Sequence, residues 1–177
     1  MTYIPTTDPQ EELLTKVDSN NKVTGSIPRG LAHKSPDTIY RTIFVVVKDN
    51  RGKILLQKRS SSKDLYPDCW DLSVGGHVNY GKSYVETAVK ELEEELSIKT
   101  NAKELNFIGE VLVKLPSSNE FFNVFEYSLK ATDKIRLEAN EVSNTKWMSI
   151  EEVKASIQQQ KLKWYPRPVQ VIEALYR

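Results

Sequence analysis

Three carboxylates set close together, Glu91, Glu94 and Glu95, are the residues of this chain best suited to chemistry. They belong to the stretch Gly75 to Ile98, GGHVNYGKSYVETAVKELEEELSI, which opens on a glycine pair. Side chains three and four positions apart on a helix are neighbours, so all three carboxylates can converge on a common point near the surface. Like charges held that close repel. A hard cation such as Mg²⁺ or Mn²⁺ removes the repulsion, prefers oxygen donors and commonly shares its shell with substrate phosphates. A solvated acidic face is the other use of such a run.

The elements that must position these groups are legible around them. From Tyr84 onward Val85, Ala88, Val89, Leu92 and Leu96 recur at the spacing of a helix with one buried stripe, and the three glutamates fall on a different face. The Gly75-Gly76 pair reads as a turn delivering the chain into that helix.

Written in full, the segment resembles the Nudix hydrolase signature, G-x5-E-x7-R-E-U-x-E-E-x-G-U with U aliphatic. Gly76 takes the opening glycine, Glu91 the glutamate after the basic residue, Leu92 the aliphatic position, Glu94 and Glu95 the pair, and Ile98 the closing aliphatic. Lys82, Lys90 and Ser97 stand where the family has glutamate, arginine and glycine. The resemblance implies an α/β/α sandwich with a mixed β-sheet. It also implies Mg²⁺ or Mn²⁺ held by Glu91, Glu94, Glu95 and the carbonyl of Gly75 or Gly76. Glu141 lies in the loop where many Nudix hydrolases place a carboxylate that binds metal or activates water. The implied reaction is hydrolysis of a diphosphate linkage in a small molecule, most naturally a nucleoside diphosphate derivative. A Nudix domain that binds nucleotide without turnover is the rival reading that Lys82 and Lys90 raise.

Those two lysines carry a structural expectation. Glu86 lies four residues after Lys82 and four before Lys90, so the three would form a ladder of alternating charge replacing part of the missing glutamate–arginine support. Lysine is a poorer bidentate partner than arginine, so Glu91 or Glu94 is expected to be held less rigidly.

Within the family the layout is similar to the branch of isopentenyl-diphosphate isomerases and their hydrolytic relatives. The likeness rests on Val17-Asp18 with Gly25, Ala32-His33, Leu55 to Arg59, Ser62-Lys63, and Pro67 followed by Trp70. It implies that Arg59 and Lys63 hold the diphosphate, and that His33, His77 and Glu120 stand at positions that bind metal in the isomerases. The isomerases' catalytic cysteine falls at Gly75 and a further histidine ligand at Tyr40, which disfavours isomerisation and leaves hydrolysis available.

The whole chain, 177 residues with 25 basic and 24 acidic side chains, reads as one domain over residues 11–177 after a flexible N-terminus of residues 1–10. A net charge of +1 argues against a nucleic-acid or membrane partner, and without a signal or spanning segment a cytoplasmic location is expected. The oligomeric state is open between monomer and homodimer. The single cysteine, Cys69, is expected to be structural.

The pattern predicts a hairpin from Leu13 to Val17 and Val23 to Ile27, a helical turn from Arg29 to Lys34, and a second hairpin from Thr38 to Val47 and Lys53 to Arg59. Strands follow at Trp70 to Val74, Leu105 to Leu115, Phe121 to Ala131 and Lys146 to Met148. Ser149 with Glu152 predicts a capping box for a helix through Gln160, and Pro166 to Tyr176 a last helix.

Overall fold

The computed structural model describes residues 8–63, 65–138 and 140–177. The first hairpin is β1 (Leu13–Val17) and β2 (Val23–Pro28), followed by the single turn α1 (Arg29–Ala32). Its tight loop is set by the Asp18 carboxylate, which accepts from the backbone N–H of Asn20 and Lys22, both at 2.9 Å. Next come β3 (Ile39–Lys48), β4 (Ile54–Arg59), β5 (Trp70–Leu72), β6 (Val74–His77) and α2 (Tyr84–Leu96). The chain then runs through β7 (Leu105–Leu115), β8 (Ser118–Ser128), β9 (Val142–Met148), α3 (Ile150–Gln158) and α4 (Pro166–Leu175).

β3 is the axis of the sheet. It pairs antiparallel with β1 and β6 and parallel with β8, so both its edges are taken. Strands with both faces covered read as near-continuous apolar runs, and β3 shows why. Ile43, Val45 and Val47 pack towards Ala88, Leu92 and Leu96 of α2. The alternating Phe44 and Val46 pack on the opposite face with Val153 of α3 and with Val171 and Ile172 of α4. Two apolar layers on either side of one mixed sheet give the expected α/β/α sandwich.

The second hairpin departs from expectation. Its turn forms, with the Gly52 N–H donating to the Asp49 carbonyl at 3.1 Å, but β3 and β4 share only the pair Lys48↔Ile54. Beyond it β4 pairs with β5 and β9 while β3 keeps its own partners. The gap is bridged by one side chain, the fully buried Ser73. Its hydroxyl accepts from the Val47 N–H at 2.8 Å and donates to the Leu55 carbonyl at 2.6 Å, standing in for the missing ladder.

The glycine pair is also not a turn. Gly75 and Gly76 lie inside β6, opposite Phe44 and Ile43, and the chain reverses later, where the Lys82 N–H donates to the Asn79 carbonyl at 2.9 Å. Glycine is needed there for space: a Cβ on Gly75 would stand 2.8 Å from the Phe44 ring, and one on Gly76 would stand 2.5 Å from the carboxyl carbon of Glu91. At the N-terminus residues 1–7 fall outside the described residues. Asp8 belongs with the folded domain: it is buried, bound by Arg29 at 2.9 Å and Lys63 at 2.5 Å.

The acidic helix begins as a capping box. Ser83 Oγ accepts from the Glu86 N–H at 3.2 Å and the Glu86 carboxylate accepts from the Ser83 N–H at 2.9 Å. It ends on Ser97 in the left-handed region (φ 59°), where the family has glycine, with the Ile98 N–H donating to the Leu92 carbonyl. The charge ladder forms only in its first half. Lys82 reaches Glu86 at 3.7 Å, but Lys90 turns the other way, to Glu94 at 2.5 Å and Glu91 at 3.3 Å. Glu86 is occupied with the cap, whereas Glu91 and Glu94 offer Lys90 two carboxylates at once. The cap therefore matters more than the ladder. Glu86→Gln, which can still cap, should shift the melting temperature by about a degree or less, and Glu86→Ala by a few degrees. Equal losses in both variants, diminishing with salt, would restore the ladder as the main contribution.

Candidate metal and phosphate site

Where β3 and β4 part, a cleft of about 460 Å³ opens between α2 and the start of α4, reached by Thr42 of β3, Gln57 and Arg59 of β4, Gly76 of β6, all three acidic residues of α2 and Arg167 of α4. The expected carboxylates thus line one cleft, but at graded depth rather than together at the surface. Glu95 is 4% exposed, because it falls between Leu92 and Leu96 on the buried stripe of the helix. The Glu91 side chain is 16% exposed and Glu94 56%.

Depth sets their acidity. Burial, reinforced by the charges of Glu91 and Glu141, holds the Glu95 carboxyl well above the usual carboxylate range. Burial and the neighbouring Glu94 push Glu91 up to about 7, against the opposing pull of Lys90. Oε2 of Glu95 is buried with no hydrogen-bond partner among the described residues, as is Oε1 of its neighbour Gln57. A buried carboxylate oxygen left unsatisfied is costly. A hard divalent cation would supply the missing partner and reverse the cost of ionising the cluster.

The residues fit such an ion by donor chemistry: three carboxylates, all oxygen donors, beside a glycine strand with no side chain to obstruct them. Among the described residues no three acidic, histidine or cysteine side chains stand close enough together to hold a metal ion as they are placed. Glu94 is held by Lys90, whose ammonium is drawn between two of the candidate ligands, so that ion pair must give way for Glu94 to turn inward.

Arg59 and Lys63 both reach the cleft, already engaged. Arg59 donates through Nε and Nη2 to the Leu65 carbonyl at 3.1 and 2.9 Å, lies 3.5 Å from Asp71 and covers the Tyr165 ring. It therefore pins Leu65 against the cleft wall. Lys63 donates to Asp8 at 2.5 Å and to Glu141 at 2.7 Å, and this brings Glu141 to the rim of the cleft facing α2.

His33 and His77 meet edge to edge, Nε2 to Nε2 at 3.4 Å, and burial holds His77 well below the usual histidine range. Glu120 is fully buried and completely occupied: Thr42 and Ser118 donate to it at 2.9 and 2.8 Å, and Arg167 forms an ion pair with it. Cys69 is 1% exposed, and burial pushes its thiol up, which suits filler rather than a nucleophile. The aromatic residues around the cleft serve packing. Phe122 stacks on Phe44 at 4.6 Å, and Tyr165 lies fully buried between Arg59 and Arg167.

Sequence reasoning missed Asp8, Arg29, Gln57, Asp71 and Arg167, all of which line the cleft. Only Gln57 left a trace, as the polar residue that directly follows the apolar run Ile54 to Leu56. The others enter through ion pairs between distant segments, which no local pattern signals.

The comparisons agree with this geometry. The family model of the NUDIX domain matches residues 38–169. The uncharacterized Nudix hydrolase PA4841 of Pseudomonas aeruginosa is 33% identical over 137 residues, covering 77% of this chain and 78% of that protein. An isopentenyl-diphosphate Delta-isomerase of Nocardia farcinica is 27% identical over 167 residues, covering 91% of this chain and 94% of that protein. The crystal structure of DR0079 from Deinococcus radiodurans superposes with a TM-score of 0.77 at 25% identity, covering 94% of this chain and 100% of that one. With the acidic helix, the glycine strand and the sandwich that holds them, these matches make the chain a member of the Nudix family, a pyrophosphohydrolase by type.

Proposed function

We propose that the protein is a divalent-metal-dependent hydrolase that cleaves the diphosphate linkage of a nucleoside diphosphate derivative or a similar small molecule. The observation that carries this reading is the buried Glu95 carboxyl with an unpartnered oxygen, set beside Glu91 on the cleft wall. Such a group is a liability in a merely structural helix. It is an asset where a cation is to be bound.

Glu91, Glu94 and Glu95, with the Gly76 carbonyl, would hold Mg²⁺ or Mn²⁺. When bound, such an ion neutralises phosphate charge and acidifies a coordinated water. The protein's own groups then set direction and proton traffic. Glu141, aimed by the Lys63 ammonium 2.7 Å away, would accept the proton of the attacking water. Lys63, buried between two carboxylates, and Arg59, fixed against Leu65 and Asp71, present a rigid cationic wall to the diphosphate. A cleft of about 460 Å³ accommodates a diphosphate with an attached group.

Isomerase chemistry is opposed by packing as well as by residue identity. A side chain at position 75 would meet the Phe44 ring at 2.8 Å, and Tyr40 is buried against Arg167 rather than offered to a metal. The decisive experiment is a screen of nucleoside diphosphate derivatives, and of isopentenyl diphosphate, with Mg²⁺ or Mn²⁺ and with chelator. Metal-dependent release of phosphate or monophosphate supports the reading. Binding without release in every case would make the domain a nucleotide sensor, the outcome that the Lys90 pairing with two ligand glutamates favours.

A further inference from the structure

Lys63 faces the diphosphate in the reading above, yet its ammonium is engaged on two sides, by Asp8 and by Glu141. With both carboxylates in place the charge of Lys63 is more than matched, so an incoming phosphate meets repulsion where it needs attraction. One of the two has to withdraw before Lys63 can serve a phosphate.

The two carboxylates are held differently. Glu141 is fastened to the segment that carries Lys63: its carbonyl accepts from the Ser60 N–H at 2.9 Å, and the Lys63 N–H donates to the Ser60 carbonyl at 3.3 Å. Asp8 comes from a separate strap, residues 8–12, which runs ahead of β1 and lines the cleft with Asp8, Pro9 and Glu12. The strap is anchored to α1 at its far end, where the Gly30 N–H donates to the Gln10 carbonyl at 2.9 Å and the Arg29 N–H to the Glu12 carbonyl at 2.8 Å. Close fit secures that anchor, since a Cβ on Gly30 would stand 2.7 Å from Oε1 of Gln10. Asp8 can therefore leave Lys63 while Gln10 and Glu12 stay docked.

The Asp8 carboxylate also imitates a phosphate. Nη2 of Arg29 at 2.9 Å and Nζ of Lys63 at 2.5 Å converge on the same oxygen, Oδ1, although one cation belongs to α1 and the other follows β4. Two cationic donors from separate elements that meet at one oxyanion suit a phosphate equally well. A phosphate offers them more charge and more acceptor oxygens, and a carboxylate that swings clear regains its water.

We propose that Asp8 is an internal stand-in for a substrate phosphate and that the strap is an autoinhibitory latch. Closed, it occupies Lys63 and Arg29; when it opens, a phosphate takes its place and holds it open, and Glu141 keeps its contact with Lys63. Resting on the reading of Lys63 as a phosphate ligand, the latch makes apparent affinity depend on how often Asp8 is away.

The test uses the full-length protein and methylenediphosphonate, a diphosphate mimic whose P–C–P bridge is not hydrolysed, with and without Mg²⁺. Asp8→Asn keeps the size and removes the charge. It should raise the association rate about tenfold and leave the dissociation rate unchanged, because a latch governs only how often the site is open. In the parent protein, the carbon NMR signal of the Asp8 carboxyl should move from its buried, ion-paired position to that of a hydrated side chain as the diphosphonate binds. A gain seen in the dissociation rate instead would mean that Asp8 stays beside the bound anion and merely repels it, and weaker binding would mean that Asp8 holds Lys63 in place for the substrate. Either result overturns the latch, as does an Asp8 signal that stays put or a lack of binding by both proteins. Failure of the hydrolase reading looks different: the diphosphonate still binds faster to Asp8→Asn, but no nucleoside diphosphate derivative is cleaved with either metal.

Discussion

Glu95→Gln should lower metal-dependent turnover by roughly a thousandfold or more, and at the same time make the metal-free protein more stable at pH 8. The amide keeps the size and helix propensity of the glutamate, so the loss reflects charge and not shape. The stability gain follows from linkage. A carboxyl whose folded value is raised binds more protons folded than unfolded, so its contribution is intact below the unfolded value and is lost as pH rises through the folded one. For Glu91, raised from 4.5 to about 7, that window is pH 4.5 to 7, and Glu91→Gln should gain on the order of 1–3 kcal/mol above it and nothing below it. Glu95 moves in the same direction for the same reason, burial. Glu94, exposed and paired with Lys90, should show the loss of turnover without the gain in stability. Melting curves with and without Mg²⁺, at pH 4 and pH 8, separate these outcomes. If turnover survives in both Glu94→Gln and Glu95→Gln, the metal assignment is wrong.

Ser73→Ala should cost about 2–4 kcal/mol, the largest effect expected from removing a single atom in this chain. The hydroxyl serves a donor and an acceptor that have no alternative: the Val47 N–H and Leu55 carbonyl lie in the buried core between strands that do not pair there. Removing it leaves both desolvated and unsatisfied, and Tm should fall by about 5–15 °C. Denaturant unfolding should show an unchanged m-value, since the folded and unfolded surfaces barely change. A loss below about 1 kcal/mol would mean that the strands close on one another once the hydroxyl is gone.

Ser73 also shows where local pattern ends. β1 and β7 begin and end where alternation and turn residues placed them, and the Ser149 box opens α3 as its spacing requires. The acidic helix and the one cleft that its glutamates line were legible because three- and four-residue spacing is itself geometry, whereas their meeting at a single point does not follow from it. The errors have physical causes. Gly75-Gly76 reads as a turn because glycine usually supplies backbone freedom, whereas here it supplies space for Phe44 and Glu91. The β3–β4 segment reads as a full hairpin because its turn is well formed, yet β6, β8, β5 and β9 claim the strand edges. Spacing alone pairs Lys90 with Glu86, but two partners on the far side outweigh one already engaged in a cap. The Glu120–Arg167 pair joins residues far apart in the chain, so no window of sequence contains it.

The parting of β3 and β4 gives the cleft a mechanical character. Beyond the Lys48↔Ile54 pair the two strands share no ladder, and Thr42 on one side and Gln57 and Arg59 on the other lie away from the Asp49 turn. Spreading the jaws at that end flexes the sheet about the turn without tearing a row of backbone bonds. The arrangement is built as a clothes-peg is, with its spring at the turn, its fulcrum at the Ser73 hydroxyl and its tips tied by the ion pairs of Lys63 and Arg29 to Asp8. Width at the mouth is thus set by a few ion pairs and not by the strand ladders that hold the core.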